Sequence, residues 1–141
     1  RAMLVTVLYR AAGEPTVTGI TNKFTDNKQG QYYYNAVLWA SNMGIVNGAT
    51  ATTFDPNGNV TREQIAAILY RYEGSPTVTG SLSGYSDQAQ VSSFAVTAMQ
   101  WAVGSGIITG VTSGGKTTLS AKGNATRAQV AVMLHRFLTF E

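Results

Sequence analysis

Three copies of one ten-residue segment recur along this chain, and that recurrence limits its fold more than any other feature. Residues 1–10, 62–71 and 127–136 each open on an arginine, carry an apolar stretch and close on Tyr-Arg or His-Arg. The leading arginines, Arg1, Arg62 and Arg127, are spaced by 61 and then 65 residues. A second block recurs in the same order: Asn-Ala-Val-Leu-Trp-Ala at 35–40 matches Thr-Ala-Met-Gln-Trp-Ala at 97–102. Gly44-Ile-Val-Asn-Gly48 matches Gly106-Ile-Ile-Thr-Gly110, and Phe24-Thr-Asp26 matches Tyr85-Ser-Asp87. A repeat of this length is one supersecondary unit that cannot bury its apolar face alone, so neighbouring copies must pack on each other.

The local signals inside each copy are helical. Thr61 with Gln64 has the spacing of a capping box, Val60 and Ile65 that of a hydrophobic staple, and Thr126 with Gln129 repeats the box. Apolar residues at Ile65, Ile68, Leu69 and Tyr72 give the stripe of a helix burying one face. This long helix has its first copy at Arg1 to Ala12. Gly13 and Gly74, each followed two residues later by proline, mark its end. A shorter helix is predicted from about Tyr32 to Met43, with Tyr32, Ala36, Trp39 and Ala40 facing inward and Gly44 as terminator. Phe94, Ala98, Trp101, Ala102 and Gly106 do the same in the last copy. Polar linkers at Thr16–Lys23 and Thr77–Gly84 carry a Val-Thr alternation suited to an extended segment. The Ser113-Gly114-Gly115-Lys116 stretch lengthens a loop of the last copy.

Together these blocks resemble the S-layer homology domain: aromatic-x-Asp, Ala-Val-x-Trp-Ala, Gly-Ile-Val-x-Gly, Phe-x-Pro, then Thr-Arg-Glu-Gln opening a long helix. The middle copy, Phe24 to Tyr72, follows the pattern throughout. In the last, Leu119-Ser120-Ala121 replaces Phe-Asp-Pro and Ala128 replaces the acidic residue. The expected organisation is residues 1–19 as the closing helix and linker of a truncated first repeat, 20–80 as a second repeat and 81–141 as a third. The expected fold is all-α, with helix-loop-helix repeats packed about a pseudo-threefold axis. The resemblance implies a non-catalytic module of a secreted Gram-positive surface protein. Such a module would bind anionic, pyruvylated secondary cell-wall polysaccharide in grooves between repeats. A structural or protein-interaction module that self-assembles without glycan is the alternative. A first repeat lacking its front half would expose apolar surface, so homodimerisation or exchange of elements is also expected.

The residue-level candidates follow from these positions. Arginine in the first turn of a helix opposes the dipole by about 0.3–1 kcal/mol. Yet Arg1, Arg62 and Arg127 all occupy that position, either to reach a neighbouring acid or carbonyl or, with free helix amides, to hold an anion. Trp39 and Trp101 are candidates for stacking on a sugar, against core packing as the alternative. Asp26 and Asp87 would hydrogen-bond sugar hydroxyls, orient an arginine or cap a local turn. Gly48 and Gly110 read as conformational positions that could also admit a ligand closely. His135, the single histidine, suggests neither metal binding nor catalysis, and no cofactor is implied.

Composition narrows the class further. The net charge of +3 comes from scattered Lys and Arg residues, with no basic stripe for nucleic acid. No apolar run approaches the roughly 20 residues that span a bilayer, which argues against membrane insertion. Without cysteine there is neither a disulfide nor a thiolate metal site. No carboxylate pair recurs at the spacing that glycoside hydrolysis needs, and no nucleophile elbow or phosphate loop is present.

Overall fold

The computed structural model describes residues 1–78 and 80–140, and it divides into two compact units, Arg1–Asn59 and Val60–Glu141. Each unit is built the same way. In the first, α1 (Ala2–Ala11) packs on α2 (Tyr34–Asn42), with Tyr9 and Trp39 meeting ring to ring at 5.5 Å. In the second, α3 (Arg62–Tyr72) packs on α4 (Val96–Gly104), with Tyr70 and Trp101 also at 5.5 Å. There Phe137 of α5 (Arg127–Phe140) adds edge contacts with Trp101 and Tyr72. A long helix therefore packs against the short helix of the repeat that follows it in sequence. The packing frame thus starts at a long helix, whereas the frame of sequence similarity starts at the aromatic-x-Asp.

The local chemistry explains where the helices begin and end. Thr61 Oγ1 accepts from the Gln64 amide while the Gln64 side chain accepts from the Thr61 amide, closing the expected capping box. Thr126 and Gln129 form the same reciprocal pair. Gly13, Gly44, Gly74 and Gly106 all take positive φ, as left-handed helix terminators require.

Three expectations are corrected. Tyr32 and Phe94 do not face inward: they are 64% and 57% exposed, and the ring that enters the core is Tyr33. Their α-helices start later than the apolar pattern suggests, α2 at Tyr34 and α4 at Val96, so residue 32 lies in the preceding turn and residue 94 in a short 3-10 helix, Ser93–Ala95. The Val-Thr linkers form no strand among the described residues. The fold is also mainly rather than wholly helical. The lengthened loop of the last repeat is a hairpin, β1 (Val111–Ser113) antiparallel to β2 (Lys116–Thr118). Gly114 and Gly115 both have positive φ at its two-residue turn, which matches the twist of the flanking strands.

The loops before α3 and α5 are each held by a half-buried carboxylate. Asp26 accepts from the amides of Phe54 and Asp55, both at 2.8 Å. Asp87 accepts from Leu119 and Ser120 at 2.8 and 2.9 Å. Asp55 and Ser120 sit at positive φ, so this bidentate clamp stabilises a strained turn. Desolvation pushes the pKa of both aspartates up, but the backbone donors together outweigh it and leave each below the ordinary carboxylate value.

The glycines at 48 and 110 serve this same loop. A methyl group on Gly48 would collide with the carbonyls of Thr50 and Thr53 and with the Phe24 ring. One on Gly110 would collide with the Tyr85 ring and Thr117. The aromatic of the aromatic-x-Asp thus lies directly on the glycine of Gly-Ile-x-x-Gly. Neither glycine has positive φ, so close contact and not backbone conformation excludes a side chain.

Two outcomes follow. Because the folded pKa values of Asp26 and Asp87 are depressed, their stabilisation is complete above the unfolded pKa of about 3.9 and disappears as pH falls through the lower folded values. Asp26→Asn with Asp87→Asn should lower stability at pH 7 by about 1–3 kcal/mol, with the deficit shrinking by pH 3, as read from urea midpoints. Gly48→Ala and Gly110→Ala should each cost about 1–3 kcal/mol by the same assay; a neutral substitution at either would remove the packing role.

Candidate anion-binding cleft

The second unit contains a cleft of about 290 Å³ lined by the start of α3, residues 107–111 and one side of α5. Ile107, Ile108, Val111, Val132 and Met133 make its walls largely apolar, while Arg62 and Arg136 bring two guanidinium groups to it. None of the lining residues is acidic. Two cations without a lining carboxylate give the cleft a positive potential, and its apolar walls weaken screening by water.

Arg62 is half-buried and its guanidinium lies against Gly123, whose missing side chain leaves it room. Arg136 is held by weaker contacts, with Nη1 donating to the Ile107 carbonyl at 3.4 Å and to Thr109 Oγ1 at 3.5 Å. These use one edge of the Arg136 fork. Arg136 and Thr109 were not among the site candidates read from the sequence, and Gln129 entered only as a cap partner of Thr126; the recurring arginine that closes the ten-residue block was the available signal.

The helix start does not contribute free amides at Arg62. The Arg62 amide donates to the Gly123 carbonyl at 3.1 Å and the Glu63 amide to the Ala121 carbonyl at 2.9 Å. Thr61 takes the Gln64 amide, so the first turn of α3 is satisfied by its own chain. An anion here would be held by guanidinium and side-chain donors. α1 is capped in the same way: Arg1 donates through its terminal nitrogen to Gly58 at 3.3 Å, and Ala2 donates to Pro56 at 3.1 Å.

The remaining sequence candidates are dispersed. Trp39 and Trp101 are buried against Tyr9 and Tyr70, so neither offers a ring face to a sugar. Asp26 and Asp87 direct both carboxylate oxygens at backbone amides, and Gly48 and Gly110 admit the protein's own loop and ring. Of these residues only Gly110 also lines the cleft. Arg127 is exposed and outside it, and Arg1 is half-buried in the first unit. Glu63 is buried, its carboxylate accepting from the Ser92 amide at 2.8 Å and from Ser92 Oγ at 2.7 Å. Among the described residues, no group of three or more His, Asp or Glu residues could hold a metal ion, and no helix is long and apolar enough to cross a membrane.

Comparison with known proteins follows the repeat frame. The family model of the S-layer homology domain matches residues 23–66 and 84–131. A surface-layer 125 kDa protein of Lysinibacillus sphaericus is 35% identical over 116 residues, covering 80% of this chain and 10% of that protein. An amylopullulanase of Thermoanaerobacterium thermosulfurigenes is 32% identical across 84% of the chain and 6% of its own length. An endoglucanase of a Bacillus species is 34% identical across 82% of the chain and 12% of its own length. The chain therefore spans about a tenth of these relatives. With the family pattern matched over more than half its residues and its recurring loop and helix contacts repeated in both units, the chain belongs to the S-layer homology domain family.

Proposed function

We propose that the chain is a non-catalytic anchoring module that holds a larger exported protein at the bacterial cell surface by binding an anionic cell-wall polysaccharide. The observation that carries this reading is the cleft, where Arg62 and Arg136 meet apolar walls with no lining acid. A pyranose ring has apolar faces and a ring-borne carboxylate, such as a pyruvate ketal, needs a guanidinium. Arg62 belongs to one sequence repeat and the remaining lining residues to the next, which makes this an inter-repeat groove. Closure of such repeats about a pseudo-threefold axis would place a corresponding groove at each repeat boundary, with Glu63 standing where Ala128 lines this one.

The relatives support the non-catalytic assignment. A surface-layer protein, an amylopullulanase and an endoglucanase share this segment as a small part of their lengths. A segment common to proteins of different named activities supplies what they have in common, and attachment fits that role. A second reading, a protein-interaction module that assembles without glycan, is favoured by the exposed apolar residues Val132 and Leu138 on α5.

Binding to purified wall polysaccharide separates the two. Arg62→Ala and Arg136→Ala should each weaken binding about tenfold or more, the value of a charge-assisted hydrogen bond of about 1.5–3 kcal/mol. Arg127→Ala should leave it within about twofold, because that residue lies outside the cleft. Removing the pyruvate should reproduce the arginine losses. Undiminished binding by the Arg62→Ala, Arg136→Ala double variant would dismiss the cleft, and self-association with no glycan binding would favour the second reading.

A further inference from the structure

The two complete repeats differ most in the loop between the second glycine of Gly-Ile-x-x-Gly and the turn that the aspartate clamps. In the middle copy it is five residues, 49–53, reading Ala-Thr-Ala-Thr-Thr, with no glycine pair and no charge. In the last copy it is eight residues, 111–118, and forms the β1–β2 hairpin. The hairpin starts at the cleft, where Val111 is part of the wall.

Strand alternation decides which side chains the hairpin presents there. Successive residues of a strand point to opposite faces, and directly paired residues share a face. Val111 pairs with Thr118 and Ser113 with Lys116, so these four stand on the face that borders the cleft. Thr112 and Thr117 occupy the other face, their hydroxyls 3.0 Å apart. That second face is fastened to the repeat's own loop. The Thr117 carbonyl accepts from the Ser86 amide at 3.0 Å, and the Thr117 methyl group lies against Gly110. The hairpin is therefore held on one side and open on the other. On the open side Val111 is 59% exposed, and Ser113 and Lys116 are exposed with it.

We infer that the open face of this hairpin is an added subsite of the cleft, taking a second anionic sugar residue beside the one that Arg62 and Arg136 hold. The inference rests on the proposed reading of the cleft and narrows its ligand to a polymer with acid groups on successive residues. A cleft of about 290 Å³ has room for one substituted sugar ring, so a second ring must lie beyond its mouth. The hairpin continues the wall outward from Val111, which serves both rings as apolar surface. Lys116 supplies the second cation, a point charge on a flexible stem that suits an acid group at the edge of a site. The middle copy, with its short uncharged loop, has no counterpart to this subsite.

Three probes test the inference by calorimetry on the full chain: a hexose methyl glycoside bearing one pyruvate ketal, a disaccharide with the ketal on one ring, and a disaccharide with it on both. The doubly substituted disaccharide should bind about three- to fivefold tighter than the singly substituted one, the value of an exposed ion pair. High salt should shrink that preference. Lys116→Ala should remove it and leave monosaccharide affinity within about twofold, whereas Lys116→Arg should retain it. Arg62→Ala should weaken all three probes. Equal binding of the two disaccharides by the unaltered chain overturns the added subsite, as does a preference that survives Lys116→Ala. Either result leaves the cleft itself standing if the monosaccharide still depends on Arg62. Failure to bind any of the three dismisses both readings.

Discussion

The contact on which this structure rests is a pair of loop carbonyls placed on the first amides of the preceding repeat's long helix. A helix start carries orphan N–H groups that must find acceptors. Here the Ala121 and Gly123 carbonyls supply them for α3, and Pro56 and Gly58 do so for α1. The loop can present those carbonyls because Asp26 or Asp87 clamps its turn, and because Gly48 or Gly110 lets the aromatic ring seat beneath it. Aromatic, aspartate, glycine and loop are thus one device distributed along some 35 residues of each repeat.

That device explains why most of the sequence pattern proves structural. Most residues that read as glycan-binding candidates instead shape the loop and short helix of a repeat, the parts that pack on the preceding long helix. Tryptophan fills the space against the preceding helix's tyrosine. Glu63 ties α3 to Ser92. Of the helix-opening arginines, Arg62 lines the cleft, and no acid lining it cancels the charge.

Helix type, caps and repeat order were legible in the sequence because they depend on neighbours a few residues away: Thr61 with Gln64, or Gly44 after its apolar stripe. What was not legible depends on distant partners. No local signal says that the carbonyls of residues 121 and 123 occupy the amides that would otherwise bind an anion. Tyr32, Tyr33 and Tyr34 offer three equivalent rings, and only the delayed start of α2 selects Tyr33 for the core. The Gly114-Gly115 pair was visible as a loop, and its hairpin follows from both residues taking positive φ. Arg136 escaped notice because its importance comes from standing in the same cleft as Arg62, 74 residues earlier.

The grip of each loop on the preceding helix is tested most directly by site-resolved amide hydrogen exchange on the chain as it stands. After correction for intrinsic rates, the amides of Arg62 and Glu63 should exchange at least about tenfold more slowly than those of Arg127 and Ala128, their repeat counterparts, which have no loop acceptor among the described residues. Equal exchange at the two helix starts would contradict it, and with it the account of how these repeats hold together.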